Sequence, residues 1–364
     1  MNQPAIAVVQ SAPNLDPWLA KTATRKDRTY EEMFGPDFVK GKPEAFRNAR
    51  FAGVEPGPNT PSHTNYVFRS EHVTDTLLWL AGVIEHNLWI AGPTRSGKSS
   101  FVNEMAARTG WEVFEWSASK DKRDYDVVGG IELTANGSEF IPGALIQAMT
   151  APAGIFLVNE GDQAPEAFWT ALHDLLDKRQ IYVPALKRVV VASDHFRIAV
   201  TANSGGLGDG SKLYRGVQRM NIATLLRFAH LRVDYMSEAE EIVWLQREVP
   251  RLDPIAATVI VRTATEMRQA FVGALTGNGT TASSDKLEVV LGLAQCKNWA
   301  IRMLAYEKAS WVKAAQLDPM EEALMRTVLN ICNDPTNQHQ VVAVKQMLKS
   351  VRAKAAAGAT KKTP

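Results

Sequence analysis

At 364 residues, 45% of them apolar and 22% charged, the chain is long enough for two to three folded units around a large core, and its make-up is that of an ordinary globular protein. A formal net charge of +2 gives no global field for nucleic acid, and two cysteines, Cys296 and Cys332, lie far apart outside any metal-ligand spacing, which suits a reducing compartment better than a disulfide framework. No run of about 18 apolar residues occurs, and Met1 to Gln10 lacks a positive flank, so a cytoplasmic chain without a membrane span is expected.

Residues 1–65 are punctuated by proline, from Pro4 and Pro13 to Pro58 and Pro61, and leave no room for long helices. Thr29–Phe34 is the best short helical piece, ended by Gly35-Pro36. This region is expected to be an extension docked on the main unit or on a neighbour.

Residues 66–236 alternate strand-like and helical runs, the pattern of a doubly wound α/β unit with a mainly parallel sheet. Five strands are predicted: Leu88–Ala91, Trp111–Trp116, Ile155–Val158, Phe196–Thr201 and Leu231–Tyr235. Two hairpins interrupt them, Val127–Phe140 turning at Asn136-Gly137 and Gln180–Val191 turning near Val183-Pro-Ala-Leu186. From residue 237 to about 350 the pattern turns helical, opened by the capping pair Ser237 and Glu240. Helices are predicted over Pro254–Gln269, Asp285–Lys308, Pro319–Cys332 and about Asn337–Ala357, with a loop over Gly273–Ser284. The unit reads as a helical lid, and residues 351–364 as a flexible basic tail.

One stretch names a chemistry. Gly92, Pro93, Thr94, Arg95, Ser96, Gly97, Lys98 and Ser99 fit the Gly-x-x-x-x-Gly-Lys-Ser phosphate-binding loop at every defined position. An apolar strand runs in and the helical Ser100–Arg108 runs out, so backbone N–H groups up to Ser100 converge on phosphates at the positive end of a helix. Lys98 is expected on the β- and γ-phosphates of ATP and the Ser99 hydroxyl on Mg²⁺. The bland alternative is a chance glycine-rich turn.

Hydrolysis needs a carboxylate at a neighbouring strand end. In Gly154-Ile-Phe-Leu-Val-Asn-Glu-Gly-Asp162 the apolar run places Glu160 just past a strand, as the catalytic candidate; a surface acidic turn is the competing reading. Asn159 stands where a metal-side aspartate is usual. An amide accepts from a Mg²⁺-bound water but adds no charge, and Asp162 is a candidate to compensate. Asn203, ending Phe196-Arg-Ile-Ala-Val-Thr-Ala-Asn203, is placed to orient a water or touch the γ-phosphate, or else simply makes a turn. Gly205–Gly210 follows as a mobile loop, since no helix opened by Gly-Lys comes after it. His173 and His195 are isolated and read as structural.

The set GPTRSGKS, FLVNEGD and FRIAVTAN, with a hairpin before the second and the third, resembles AAA+ ATPases of the MoxR type, nearest the small ATPase subunits of aerobic cobaltochelatases. Tyr125-Asp-Val-Val-Gly129, Gly205–Asp209, Leu213–Gln218, Leu225–Phe228, Asn298-Trp-Ala300 and Glu31–Gly35 carry the closer likeness, which covers about residues 30–310. The resemblance implies an αβα core followed by an all-α lid, a homo-oligomeric ring, usually hexameric, and a client or adaptor protein, such as one with a von Willebrand A-type domain. By position it makes Glu160 the catalytic glutamate, Asn203 the sensor and Arg227 an arginine finger acting in the neighbouring subunit. From the residues alone Arg227 is an ordinary solvated charge. Asn159, Leu226 and Ala294 depart from the family pattern, at the metal-side aspartate, before the finger and at the lid sensor arginine, so slow turnover is expected. The expected function is ATP-driven remodelling of a partner. The alternatives are a slowly hydrolysing ATP-bound scaffold ring and a nucleic-acid motor, which the near-neutral charge disfavours.

Overall fold

The structure is a computed structural model describing residues 21–64, 66–84, 86–119, 127–134, 137–208, 216–276 and 287–360, without the side chains of 272–276 and 358–360. Asn136 of the first hairpin turn, Tyr125-Asp126, Asp209–Arg215 and residues 277–284 of the expected loop lie outside the described residues.

Within the proline-rich start, residues 21–64 are more ordered than their composition suggests. Strand β1 (Arg25–Thr29) pairs antiparallel with β2 (Arg50–Val54), with three short helices between them. The first of these, Tyr30–Phe34, is closed by a reciprocal cap between Thr29 and Glu32. Arg28 donates to the carbonyls of Val54 and Thr109, tying the ribbon to the helix that leaves the phosphate loop. Met33, Phe34, Phe51 and Val54 join Phe101, Val102 and Met105 in one apolar cluster, so the extension docks on the core of its own chain.

The central sheet is parallel. Its strands are β3 (Asn87–Ala91), β4 (Glu112–Ser117), β7 (Gly154–Asn159), β10 (Phe196–Ala202) and β11 (Ala229–Arg232), in the spatial order β11-β3-β10-β7-β4. Between β4 and β7 lies the hairpin β5 (Gly129–Thr134) and β6 (Gly137–Pro142); between β7 and β10 lies β8 (Gln180–Val183) and β9 (Arg188–Val191). The alternation of side chains sends Leu88, Ile90, Ile155 and Leu157 to one face with Phe101 and Met105. It sends Trp89, Phe156 and Val158 to the other, against Leu145, Phe168 and Trp169. Burial on both faces is why these strands read as unbroken apolar runs. The last strand sits two residues earlier than predicted, and a helix not marked in the sequence, Ser70–Leu80, covers the first face with Val73, Leu77 and Leu80.

Helices Glu238–Glu248, Pro254–Thr276, Leu293–Tyr306, Pro319–Thr327 and Gln338–Thr360 enclose a separate apolar core. Four boundaries differ from expectation. The helix expected over Pro319–Cys332 ends at Thr327, and Leu329–Cys332 forms a 3-10 turn. Pro254–Thr276 runs on past Gln269 to take in residues 273–276 of the expected loop. Residues 287–292 are not helical: Leu287, Val289 and Leu291 are buried at every second position, which suits an extended chain, and Gln340 Oε1 accepts from the Glu288 amide at 3.0 Å. The last helix continues through residues 351–360, given above to the tail, because Val351 is buried and Arg352 pairs with Asp318.

Candidate active site

The phosphate loop joins the end of β3 to the helix Lys98–Thr109. Gly97 and Arg95 take positive φ, 89° and 60°. A Cβ on Gly92 would lie 2.1 Å from the Val233 carbonyl oxygen, so only glycine fits there. Lys98, 9% exposed, curls back over the loop, and its Nζ donates to Gly92 O at 2.9 Å, Pro93 O at 2.8 Å and Asn203 Oδ1 at 3.3 Å. Burial lowers its pKa to about 8, partly offset by the carboxylates of Asp162 and Glu160.

The parallel register brings three strand ends to this ammonium. Asn159 Oδ1 accepts from Ser99 Oγ at 2.6 Å and from Thr201 Oγ1 at 3.1 Å, and Asn159 Nδ2 donates to Glu115 Oε2 at 3.0 Å. Glu160 follows in the left-handed region, with φ 57° and ψ 41°, where its carboxylate accepts from Gln163 Nε2 at 2.6 Å and lines the cleft. For a non-glycine residue that backbone is uncommon and turns the side chain away from the strand direction. The cleft, of about 430 Å³, is walled by Lys98, Ser99, Ser117, Asn159, Glu160 and Asn203. Ser99 Oγ and Asn159 Oδ1, two hard oxygens side by side, fit Mg²⁺, which takes oxygen ligands and keeps several waters. Among the described residues no group of three or more His, Cys, Asp or Glu could hold a metal alone, so phosphate oxygens would have to complete the site.

Asp162 takes no part in the cleft wall, which corrects its place as a metal ligand. It is fully buried, and its Oδ2 accepts from the amides of Asn203 and Ser204, each at 3.0 Å, and from Ser204 Oγ at 3.1 Å. Burial raises its pKa against those hydrogen bonds. Asp162 therefore fixes the tip of β10 and, with it, Asn203.

Arg227 stands elsewhere. It precedes β11, and its carbonyl accepts from Asn87 at the opposite end of β3 from the phosphate loop. Its guanidinium is held by both oxygens of Asp177, at 2.8 and 3.0 Å. Ala294 lies where a second cavity, of about 840 Å³, opens between the phosphate loop, the stretch carrying His63, Tyr66 and Arg69, and the lid, beside Trp244, Gln295 and Lys297. Lys297 is paired with Glu248 at 2.5 Å. Sequence reasoning missed Thr201, Glu115, Tyr235 and Lys297. Thr201 and Glu115 could have been found by aligning the strand ends, because Ser117 and Asn159 are register partners; Tyr235 and Lys297 carried no local signal.

Residues 87–228 match the family of AAA domains, dynein-related subfamily. Over 181 residues the chain is 28% identical to the denitrification regulatory protein NirQ of Stutzerimonas stutzeri, covering 50% of this chain and 62% of that one. Over 223 residues it is 27% identical to the aerobic cobaltochelatase subunit CobS of Sinorhizobium sp, covering 57% and 65%. Among solved structures, the Thermotoga maritima RuvB Holliday junction branch migration motor aligns over 75% of this chain and 73% of its own, with a TM-score of 0.45 and 14% identity. The chain spans less than two thirds of the length of either relative.

Proposed function

We propose that this chain, an AAA+ ATPase of the MoxR type, binds ATP with Mg²⁺ in the cleft at the strand ends, hydrolyses it, and uses the cycle in a homo-oligomeric, hexameric ring to remodel a partner protein. The observation that carries the reading is the convergence of Lys98, the Ser99–Asn159 pair, Glu160 and Asn203 on one cleft. Lys98 gives up loop carbonyls for phosphate oxygens, where its charge meets the charge that develops in the transition state. Bound Mg²⁺ would neutralise the phosphates from the Ser99 and Asn159 side. Glu160 is the carboxylate at the open edge of the cleft, bonded to Gln163 and suited to orient and deprotonate the attacking water, and Asn203, held by Asp162, orients the γ-phosphate end.

Arg227 acts in trans in this reading. A five-residue strand spans about 16 Å at ~3.3 Å per residue, so a side chain beside Asn87 serves a neighbour's phosphates rather than its own. Leu226, 76% exposed next to it, suits an apolar contact between subunits. The client surface is assigned to the two hairpins, where Leu133 is 89% exposed and Ile131, Tyr182 and Val189 are also uncovered. The partner class is a regulatory or chelation client of the kind that the names of the relatives suggest. Among the described residues no helix is long and apolar enough to cross a membrane, and we place the chain in the cytoplasm.

Steady-state phosphate release tests the reading: Lys98→Ala and Glu160→Gln should each abolish it, and unchanged turnover in either overturns the assignment. Mixing Arg227→Ala with Lys98→Ala subunits should restore part of the activity, and no rescue at any ratio removes Arg227 from the site. Asn159 favours a second reading, a ring that clamps ATP with little turnover. Nucleotide-dependent assembly without phosphate release would select it.

A further inference from the structure

We infer that Glu115 is a positioning residue for the metal side of this site: its carboxylate locks the amide of Asn159 with the carbonyl oxygen turned towards Ser99, and it places on β4 the negative charge that Asn159 lacks. The inference rests on the ATP reading above. An amide has an acceptor end and a donor end of almost the same shape, so a neutral residue at this position can face a cation with either. The two hydroxyls on Asn159 do not decide between them, because Ser99 and Thr201 can donate or accept. An ionised carboxylate can only accept. The contact between Asn159 Nδ2 and Glu115 Oε2 at 3.0 Å therefore fixes which end points back to β4 and which end meets Ser99.

Glu115 is itself held in place. Its other oxygen, Oε1, accepts from Asn103 Nδ2 at 2.7 Å, and Asn103 lies on the helix that begins at Lys98. The carboxylate thus bridges the phosphate-loop helix and the end of β7. On β4, Glu115 shares a face with Ser117, the register partner of Asn159, and its side chain reaches along that face. Asp162 does not substitute for it, being committed to the amides of Asn203 and Ser204. Among the described residues no other carboxylate bonds to Asn159. Because Glu115 is solvent-exposed, its charge is screened, and the orientation of the amide is the larger effect. A Mg²⁺ ion facing the carbonyl oxygen gains an oxygen ligand directly or through water; facing the NH₂ group it meets a partial positive charge.

The experiment is a Mn²⁺ titration of the full chain with AMP-PNP, read by electron paramagnetic resonance of free Mn²⁺. Glu115→Gln should weaken Mn²⁺ binding about tenfold, the low end of what outer-shell partners contribute, since glutamine can offer its own NH₂ and let Asn159 turn over. Glu115→Ala, which leaves the amide unlocked, should do the same. In an Asn159→Asp background both ends accept and Glu115 becomes a like charge, so Glu115→Gln should leave Mn²⁺ affinity unchanged or tighten it. AMP-PNP binding in EDTA should be the same for all variants. Unchanged Mn²⁺ affinity in the Glu115 single variants, or an equal loss in both backgrounds, overturns the inference while leaving the ATP reading intact. A native chain that binds no Mn²⁺ with AMP-PNP overturns the ATP reading and the inference with it.

Discussion

The Tyr235 hydroxyl donates a hydrogen bond to the carbonyl oxygen of Thr94 at 2.8 Å, so the segment that leads into the lid also holds the phosphate loop. The Tyr235 ring lies 4.6 Å from the guanidinium of Arg268, which is bonded to Glu241 and to the carbonyl of Leu291. Gly292 follows and packs on Arg95, where an added Cβ would lie 2.6 Å from the arginine Cβ. The lid and the loop therefore meet at two successive residues of the loop.

Tyr235→Phe keeps the ring over Arg268 and removes the hydroxyl that bonds to Thr94. The fold should survive with a loss of about 1 kcal/mol, the net worth of one neutral hydrogen bond. Nucleotide affinity should fall by roughly fivefold if that amount is lost from loop preorganisation. Isothermal titration calorimetry with ADP checks it, and native affinity in the variant would show that the loop holds its shape unaided.

Lys98 links stability and binding to pH. Its pKa lies at 10.5 in the unfolded chain and about 8 in the folded one. Between those values the unfolded state holds the extra proton, so the contribution of this group to stability rises with pH across the window, by at most about 3 kcal/mol. A phosphate group favours the charged amine, so nucleotide binding near pH 9 should take up a proton. Calorimetry in two buffers of different ionisation enthalpy reads that uptake, and Lys98→Met should abolish both effects.

Asp162→Ala strips the acceptor from two backbone amides and a hydroxyl at the tip of β10. Each buried donor left unmade costs about 1–3 kcal/mol, so a clear drop in urea midpoint is expected. Because Asn203 loses its anchor while Lys98 keeps its bonds to Gly92 and Pro93 and Ser99 keeps its bond to Asn159, kcat should fall more than nucleotide affinity. Combining Asp162→Ala with Asn203→Ala should cost no more turnover than Asn203→Ala alone; additive losses would mean that Asp162 acts independently of Asn203.

In the lid, Arg268 and Glu241 are both buried and joined by two bonds, at 2.5 and 2.7 Å. Glu241→Ala leaves an uncompensated guanidinium and should destabilise by about 3–5 kcal/mol, whereas the paired change Glu241→Leu with Arg268→Met should recover most of that loss. Chemical denaturation of the three proteins decides it. Equal instability of the single and paired variants would mean that packing, not charge pairing, sets the cost.

The parallel sheet and the phosphate loop were legible because both depend on local pattern: apolar runs such as Gly154–Asn159, and a motif with fixed spacing. Residues 287–292 misled the reading because their apolar positions fit either period until the partner, Gln340, is in view. The strands of the N-terminal ribbon were hidden for a different reason. Arg25–Thr29 carries almost no apolar side chains, and only its pairing with Arg50–Val54 makes it a strand. In the site, Glu160 and Asn203 declared themselves by ending strands, but the roles of Asp162 and Glu115 depend on which way each carboxylate points, and a sequence does not encode that locally.

The docking of the ribbon has a practical corollary for anyone dividing this chain into pieces. A polypeptide shortened to begin at Val67 would retain every motif of the proposed ATP site, yet it would strip Met33, Phe34, Phe51 and Val54 from Phe101, Val102 and Met105. The uncovered residues lie on the helix whose first turn carries Lys98 and Ser99. Such a fragment would be sticky and loosely folded around the nucleotide, and a failed ATPase assay on it would report the missing wrapper rather than the chemistry.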